Sequence, residues 1–247
     1  MRALACLLFF VLSASGFAQT AQPDYAREKR WADEIFPAIL VGDPLFLALK
    51  SGHKFLALHA PNPKARAGVI VVHGMGAHPD WNLINVLRSQ LAEQDYTTLS
   101  VQMPVLAADA KAELYPQLFP DAAERLQAAV NFLREKGQRK IAIVAHSMGA
   151  RMVNHFLAGG GAVDAWVAVG ISSGVYVQAE TFNAPVLDIY GEKDFPVVLQ
   201  YAARRADAIK RIRGSGQISV AGADHYFTGA ESDLVRHVRR FLDNITR

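Results

Sequence analysis

Residues 140–151 constrain the fold of this chain more than any other stretch, because an apolar run passes directly into a serine and then into a helical pattern. The run 141–145 is apolar throughout, which predicts a strand covered on both faces of a parallel sheet. Ala145 and Gly149 stand two residues before and two residues after Ser147. Small residues at these positions permit the tight strand-to-helix turn that lifts a serine hydroxyl clear of a sheet. The stretch therefore predicts a nucleophilic serine, against the alternative of an ordinary helix-capping serine.

Strand and helix patterns alternate along the rest of the chain, as expected for a sheet with helices on both faces. Of the 247 residues, 51% are hydrophobic and 20% are charged, which is typical of a globular protein. We predict one α/β domain with a mostly parallel sheet, and Asp121 as the N-cap of its third helix. The other predicted strands cover 45–49, 54–59, 69–72, 97–102, 165–172, 185–190 and 217–220, and the predicted helices cover 24–40, 79–94, 121–136 and 231–245.

The basic residues are interspersed with acidic ones, and the net charge is +3. Several basic residues fall on predicted helix faces, where a solvated surface is favoured over a nucleic-acid-binding patch. We therefore expect no nucleic acid among the partners. The residues concerned are Arg204, Arg205, Lys210, Arg211, Arg213, Arg236, Arg239 and Arg240.

Residues 1–18 have the pattern of a secretory signal peptide. Arg2 precedes an apolar run over 3–11, and a small-x-small cleavage sequence ends at Ala18. The run is too short and wrongly flanked for a membrane span, so no stable membrane insertion is expected after cleavage. Cys6, the only cysteine, lies in this segment, so the mature chain 19–247 has no thiol for a disulfide, a nucleophile or a metal. Export without disulfides predicts a periplasmic protein, with secretion as the alternative.

Two further side chains stand just past the ends of predicted strands. Asp194 follows the strand 185–190 by a short turn, and His225 follows the strand 217–220 in a Gly-x-x-His sequence. The carboxyl ends of parallel strands meet at one edge of a sheet, and catalytic groups gather along that edge. We therefore expect Ser147, Asp194 and His225 to lie close together as nucleophile, acid and base.

Two other aspartates compete for the role of the acid. Asp188 lies within its predicted strand rather than after it, and Asp224 is adjacent to His225, so that their side chains diverge. The chain order Ser, Asp, His separates this arrangement from two other well-known serine triads. Together with the His-Gly turn after the strand 69–72, the pattern resembles the α/β-hydrolase superfamily over nearly all of the mature chain.

The resemblance implies an oxyanion hole made by the backbone N–H groups of Met75 and Met148. Gly74 allows the backbone to approach a substrate closely. His73 is interpreted as a structural residue that supports this loop, in preference to a proton carrier. A metal site built from His73, His78 and Asp80 is disfavoured because no further residues match its ligand spacing. No cofactor is expected.

The chain leaves no room for a large lid domain after the nucleophile. Only residues 173–184 separate two predicted strands at the position where lids are inserted in this fold, so an open and shallow pocket is expected. The longest irregular segment, 105–120, is expected to lie beside the pocket rim. The predicted substrate-binding residues are Gly74, His78, Trp81 and Tyr115.

A closer resemblance involves the segments 25–28, 77–81, 101–107 and 163–166, which read Tyr-Ala-Arg-Glu, Ala-His-Pro-Asp-Trp, Val-Gln-Met-Pro-Val-Leu-Ala and Val-Asp-Ala-Trp. They are similar to a family of exported proteobacterial α/β-hydrolase-like proteins of unassigned function. That resemblance implies a fold and a compartment but no substrate. Ala145, in place of the first glycine of the serine motif, departs from the superfamily pattern and tightens the turn.

These roles predict a carboxylic-ester hydrolase that acts on a small-molecule acyl ester through an acyl-enzyme. A serine nucleophile excludes haloalkane and epoxide hydrolysis by the aspartate route used on this fold. Three alternatives remain open: an acyltransferase with the same triad, a peptidase or amidase, and a non-catalytic cell-envelope binding protein on a hydrolase scaffold. The intact Ser, Asp and His argue against the last of these, although fold alone does not decide function.

Overall fold

The computed structural model describes residues 21–173 and 175–245, which form one eight-stranded sheet with helices on both faces. The predicted signal peptide lies outside the described residues. The sheet order is β1-β2-β4-β3-β5-β6-β7-β8; the pairings β1-β2 and β2-β4 are antiparallel and the other five are parallel. The strands are β1 (Asp43–Ala48), β2 (Lys54–Ala60), β3 (Ala67–Val72), β4 (Tyr96–Val101), β5 (Ile141–His146), β6 (Ala165–Val169), β7 (Val186–Lys193) and β8 (Gly216–Asp224).

Helices connect the parallel strands and cover the sheet. None of the helices in the described part of the chain is long and apolar enough to cross a bilayer. Short 3-10 helices lie at Phe36–Ala38, Ala112–Leu118 and Ala179–Thr181. The α-helices are α1 (Tyr25–Ile35), α2 (Asn82–Ala92), α3 (Phe119–Glu135), α4 (Met148–Ala158), α5 (Pro196–Gln200), α6 (Ala202–Ile209) and α7 (Glu231–Ile245).

Two apolar layers, one on each face of the sheet, form the core. Alternate residues of a strand point to opposite faces, so Ile70 packs with Leu126 of α3 in one layer and Val71 packs with Leu87 of α2 in the other. The strands β3, β4, β5 and β6 are buried along their whole length. Burial on both faces accounts for the apolar runs of β3, β5 and β6, whereas β4 also buries Thr97, Thr98 and Ser100. The architecture confirms the predicted single-domain α/β fold.

The strand ends at the carboxyl edge differ from the prediction. β7 continues to Lys193 and β8 to Asp224, because the two strands keep pairing past a bulge between Gly191 and Lys193. β6 instead ends at Val169, where the next residue, Gly170, takes a positive φ of 52°. Asp194 is thereby placed directly after its strand rather than after a turn.

Three predicted helix boundaries are also corrected. α1 ends at Ile35, and the 3-10 helix that contains Pro37 replaces its predicted last turn. α2 begins at Asn82 rather than at 79, since residues 78–81 form a turn closed by the bond from Trp81 N–H to His78 O. α3 begins at Phe119, two residues before its predicted N-cap.

Proline explains the early start of α3. Pro120 lies in the first turn, where the missing N–H has no helical partner to lose. Leu118 is therefore the N-cap, and Asp121 lies inside the helix, where its Oδ1 accepts a bond of 2.6 Å from Arg125 Nε. The segment predicted as irregular contains the 3-10 helix Ala112–Leu118.

Arg205 is not part of a solvated helix surface, and that prediction is wrong for this residue. Its side chain is fully buried, and Nε donates to Asp188 Oδ2 at 3.0 Å. Gln217 Nε2 donates to the same oxygen at 2.6 Å, and Arg205 Nη1 donates to Val198 O at 2.8 Å. The buried pair joins β7 to α5 and α6. Asp188, the alternative candidate for the catalytic acid, is therefore engaged by Arg205 and Gln217.

A second buried pair fixes α1 to α3. Arg125 Nη1 donates to Glu28 Oε2 at 2.8 Å, and both side chains are buried. The same guanidinium donates to Gln102 O at 3.0 Å, at the end of β4. The N-terminal helix is therefore held to the body of the domain by a residue 97 positions later in the chain.

No large lid is inserted between β6 and β7. The described residues of this connection contain only the 3-10 helix Ala179–Thr181 and turns. The carboxyl edge of the sheet is consequently not covered by an added domain on this side.

Candidate active site

Ser147 lies on a strained turn between β5 and α4. Its φ of 54° and ψ of −118° fall outside the regions that residues with side chains ordinarily occupy. The turn is anchored because Ser147 N–H donates to Val169 O at 2.8 Å, and α4 begins at the next residue, Met148. This conformation is the one expected of a nucleophile elbow.

Gly149 is required by the backbone of His73, just after β3, rather than by a contact with Ala145. A Cβ at position 149 would lie 2.3 Å from His73 O and 2.8 Å from Val72 Cγ1. The first turn of α4 therefore packs directly on the end of β3, which brings the nucleophile next to the loop that follows that strand.

The substitution Gly149→Ala is expected to lower the free energy of unfolding by about 1–3 kcal/mol, because the new methyl group must displace a backbone carbonyl. Urea denaturation measures this change. Gly216→Ala is the matched control, since nothing lies within 4 Å of a Cβ there. Equal effects of the two substitutions would contradict the close approach of α4 to β3.

The structure brings Ser147, His225 and Asp194 into one hydrogen-bonded row. His225 Nε2 lies 3.0 Å from Ser147 Oγ, and His225 Nδ1 lies 2.6 Å from Asp194 Oδ1. Asp194 and His225 are buried, at 4% and 2% exposure. With Nδ1–H donating to the carboxylate, Nε2 carries the lone pair that can accept the serine proton.

Hydrogen bonds to the backbone hold Asp194 and His225 in this arrangement. Phe195 N–H donates to Asp194 Oδ1 at 2.7 Å, and His146 donates through Nε2 to His225 O at 2.9 Å. Asp224 turns the loop beyond β8, because its Oδ1 accepts bonds from the N–H groups of Tyr226 and Thr228 at 2.9 and 3.0 Å. The observed contacts therefore make Asp224 a loop-forming neighbour rather than a partner of the imidazole.

Two buried histidines next to the row remain neutral. Burial lowers the pKa of His146 to about 4 and the pKa of His73 to about 3. Both rings therefore stay unprotonated near neutral pH. They can orient the backbone around the site, but neither is suited to carry a proton between Ser147 and a leaving group.

His73 supports the loop after β3, as predicted. Its Nε2 accepts the N–H of Met103 at 2.9 Å, so Nδ1 carries the proton that it donates to Gly74 O at 2.8 Å. A Cβ at Gly74 would lie only 3.1 Å from Ser147 Cβ. Glycine at this position therefore allows the loop to reach the nucleophile.

The two backbone N–H groups predicted to form an oxyanion hole lie near Ser147, one in the loop after β3 and one at the start of α4. Within residues 21–173 and 175–245, the N–H groups of Met75 and Met148 have no hydrogen-bond acceptor. Met148 is the first residue of α4, where the dipole of the helix favours a negative charge. Their role as an oxyanion hole stays a prediction.

Tyr115 is not at the rim of the pocket, and this part of the prediction is corrected. Its side chain is 3% exposed, and its hydroxyl accepts a bond of 3.5 Å from Leu106 N–H. The backbone of Gly76 is also within hydrogen-bonding reach of this hydroxyl. Because the 3-10 helix Ala112–Leu118 turns the ring inward, Tyr115 supports the loop that carries Met75 instead of contacting a ligand.

His78 and Trp81 are half-buried beside this loop. The Trp81 ring lies 5.7 Å from the ring of Tyr226, the residue after His225, so Trp81 is near the row of polar side chains. The His78 ring instead packs 5.7 Å from Trp31 of α1, and its Nδ1 accepts the N–H of Asp80 at 3.3 Å. Their contact with a substrate stays a prediction.

Phe195 and Tyr226 are neighbours of the site that the sequence analysis missed. The Phe195 ring stacks on the His225 ring at a centroid distance of 4.0 Å, and Tyr226 meets the same imidazole edge-on at 5.1 Å. Phe195 directly follows Asp194, and Tyr226 directly follows His225. This adjacency in the sequence could have identified both residues as neighbours of the site. In the described residues, no group of three or more His, Cys, Asp and Glu side chains could hold a metal ion.

Solved structures share this fold at low sequence identity, whereas no curated protein matches the chain in sequence. Est1E from Butyrivibrio proteoclasticus is 16% identical, with a TM-score of 0.66 over 81% of this chain and 98% of that chain. XC6422 from Xanthomonas campestris, described as an α/β serine hydrolase without lid, is 15% identical, with a TM-score of 0.66 over 83% and 95%. The Pyrococcus furiosus esterase Pf2001 is 15% identical, with a TM-score of 0.67 over 83% and 93%.

These similarities establish the fold of the α/β-hydrolase superfamily. At this sequence identity they establish neither an activity nor a substrate. The match to a sequence family covers more than half of the chain. Residues 107–244, which include Ser147, Asp194 and His225, match the family described as protein of unknown function (DUF3530), and the chain belongs to that family.

Proposed function

We propose that this protein is a serine hydrolase that cleaves carboxylic esters through an acyl-enzyme. The observation that carries the proposal is the hydrogen-bonded row of Ser147, His225 and Asp194. Ser147 Oγ lies 3.0 Å from His225 Nε2, and His225 Nδ1 lies 2.6 Å from Asp194 Oδ1. Nucleophile, base and orienting carboxylate are within hydrogen-bond reach of one another, which is the arrangement that nucleophilic catalysis by serine needs.

Acylation begins when Ser147 Oγ attacks the ester carbonyl carbon and His225 Nε2 takes the serine proton. The carbonyl oxygen becomes negative and accepts bonds from the N–H groups of Met75 and Met148. The bond to the alcohol oxygen then breaks, and His225 gives its proton to the departing alcohol. Asp194 keeps Nδ1 protonated and stabilises the imidazolium while both steps occur.

Deacylation repeats this sequence with water. His225 takes a proton from a water molecule as its oxygen attacks the acyl carbon, and the bond to Ser147 Oγ breaks. The proton returns to Ser147, and a carboxylic acid leaves. The sum is one ester and one water consumed, and one acid and one alcohol released.

An ester is favoured over the other substrates of such a site. The nucleophile is serine rather than aspartate, and one structure with the same fold is named an esterase. An acyltransferase would use the same residues and pass the acyl group to an alcohol instead of water. The ratio of hydrolysis to transfer in the presence of an added alcohol distinguishes the two.

A fluorophosphonate probe tests the proposal directly, because it reacts with a serine only when a neighbouring base activates it. We expect one covalent adduct on Ser147 in the folded protein, found by mass spectrometry of the peptides. Ser147→Ala should lose the adduct, whereas Ser173→Ala, a half-buried serine outside the row, should keep it. A folded wild-type protein that takes up no probe would favour a non-catalytic binding role.

We also propose that the protein is exported and acts in the periplasm, as a member of an exported proteobacterial group. The support is the pattern of residues 1–18 and the absence of cysteine after Cys6. Fractionation of cells that express the chain with a C-terminal tag tests this. Recovery of a shortened chain in the periplasmic fraction is expected, and a full-length chain confined to the cytoplasm would contradict it.

A further inference from the structure

A cavity of about 420 Å³ lies beside α4, the helix that begins directly after Ser147. Residues of α4, of the segment after β6 and of the start of α3 line it. Phe119 and Val177 give it apolar walls, and Arg151 is its only lysine or arginine among the residues that the structure describes. The cavity has a size that accommodates a small organic molecule, and it combines apolar walls with one permanent positive charge.

No acidic group compensates the charge of Arg151, which is half-buried. Within the described part of the chain, no carboxylate lies within 4.0 Å of its guanidinium, and no acceptor receives its side-chain N–H groups. The guanidinium instead lies over the ring of Phe119, with Cζ 5.6 Å from the ring centroid. Burial lowers the pKa of Arg151 below its ordinary value, but an arginine stays protonated. Its N–H groups are therefore left to water or to an anionic ligand in the cavity.

The helix α4 places Arg151 close to the nucleophile. Ser147 is the N-cap of α4, and Ala150 N–H donates to Ser147 O at 3.1 Å, so the first turn joins Ser147 to Arg151. Four residues correspond to about 6 Å along a helix axis, and residues four apart lie on the same face. Helical side chains also lean toward the N-terminus of their helix. Arg151 therefore leans toward the end of α4 at which Ser147 lies.

The segment after β6 also leads from the hydrogen-bonded row to the cavity. A Cβ at Gly170 would lie 3.1 Å from Asp194 Oδ2 and 3.2 Å from His225 Nδ1, so the segment begins in contact with the row. Further along it, Val177 lines the cavity. Val177 N–H donates to Asn154 Oδ1 at 2.9 Å, and Asn154 Nδ2 donates to Val177 O at 2.9 Å. These two bonds hold the segment against α4 as a fixed wall.

The cavity extends along α4, and Arg151 lies at its end nearer to Ser147. Ala158 and Gly159, at the opposite end of the helix, line the cavity as well. Phe119 stands at the same end as Arg151, because its ring lies under the guanidinium. A group bound by Arg151 therefore lies about one helical turn from the nucleophile.

We propose that Arg151 binds a carboxylate of the substrate, so that the protein acts on esters that carry a carboxylate close to the scissile bond. The reaction in this inference rests on the proposed hydrolase function, whereas the anion site does not. A guanidinium binds a carboxylate through two parallel N–H···O bonds, which favours such an ester over a neutral one. A single cation balances the one negative charge of a carboxylate, whereas a phosphate dianion would remain partly uncompensated.

Matched pairs of esters test this preference. Mono-p-nitrophenyl adipate carries a carboxylate on the acyl side, and 4-butyryloxybenzoate carries one on the alcohol side; the methyl ester of each carboxylate is its neutral counterpart. We expect the wild type to hydrolyse one of the anionic esters with a kcat/KM about 10–100-fold above that of its counterpart. Equal values within both pairs would overturn the proposal. Faster hydrolysis of 4-butyryloxyphenyl phosphate than of both carboxylates would overturn the choice of a carboxylate.

Arg151→Met removes the charge and keeps an unbranched side chain over Phe119. It is expected to lower kcat/KM for the preferred anionic ester by about 10–100-fold, so that the ratio within the pair approaches one. Arg151→Lys keeps the charge without the paired donors and should keep an intermediate ratio. Arg240→Met is the matched control, because Arg240 is an exposed arginine of α7 without an ion pair among the described residues. A purely structural role of Arg151 would lower both rates equally and leave the ratio unchanged, which would contradict the inference.

Titration calorimetry separates this inference from the proposed function. The full chain carrying Ser147→Ala is expected to bind monomethyl adipate more tightly than dimethyl adipate, and adding Arg151→Met should remove the difference. This binding difference in a protein that takes up no fluorophosphonate would support the anion site and overturn both the hydrolase function and the assignment of a substrate. Labelling of Ser147 without any such difference would overturn the anion site and leave the hydrolase function standing.

Discussion

Asp194→Asn is expected to lower kcat for ester hydrolysis by about 10⁴-fold, the loss measured for the corresponding change in a serine protease. Asparagine fits the same space, and its NH2 group can take the place of Oδ1, the oxygen that both Phe195 N–H and His225 Nδ1 contact in the wild type. Its amide group, however, donates to His225 Nδ1, which places the imidazole proton on Nε2 and leaves no lone pair there for the proton of Ser147. The nucleophile then stays protonated although the row keeps its geometry.

Rates of hydrolysis of a short p-nitrophenyl ester measure this loss, with the thermal midpoint of each variant as the check on folding. Asp188→Asn is the matched control, because Asp188 lies on β7, the strand that Asp194 directly follows, and ends in the same carboxylate. Folded Asp188→Asn protein should keep kcat within a few-fold of wild type. A large loss of kcat in that control, with a small loss for Asp194→Asn, would assign the acid to Asp188.

Asp188→Asn is expected instead to lower the free energy of unfolding by about 3–5 kcal/mol. The change leaves the buried Arg205 guanidinium without its counter-ion, in a place where water cannot replace it. Breaking one side of a buried pair is costly because the remaining charge stays desolvated. The effect should be larger than that of any exposed ion pair, such as Lys29 with Asp33.

Urea denaturation of the wild type, Asp188→Asn and the double variant Asp188→Leu with Arg205→Met measures this effect. The double variant removes both charges and should recover part of the lost stability, because neither polar group is then left unpaired. If the double variant is no more stable than Asp188→Asn, the loss comes from packing rather than from the unpaired guanidinium.

The order of strands and helices follows from the sequence because β3, β5 and β6 consist of apolar residues and glycine over almost their whole length. The helix α7 begins at Glu231, as its periodicity predicts. The ends of elements are harder to predict where they depend on contacts outside the element. β7 and β8 are longer than predicted because they pair with each other. The helix α3 starts earlier than predicted because its first turn tolerates a proline. These features involve neighbours that are distant in sequence, which periodicity along one segment does not report.

The row of Ser147, Asp194 and His225 could be predicted because each residue follows its own strand, and parallel strands bring their ends together. The substrate-binding residues were harder to predict, because a loop can turn a side chain inward or outward with no change in pattern. Tyr115 is turned inward, and Phe195 is turned over His225. The prediction that Arg205 is exposed was wrong for a related reason. A run of basic residues on a short helix does not show which of them has a buried partner.

The ion pair between Glu28 and Arg125 cannot form until the ribosome has made both residues, so α1 is fixed to α3 only after a delay. The ribosome adds about 5–20 residues per second, so the 97 residues between the two partners take about 5–20 s to make. Until Arg125 has been made, α1 lacks the buried guanidinium that later fixes it to α3. The first helix of the described residues, α1, is therefore among the elements that reach their final place late.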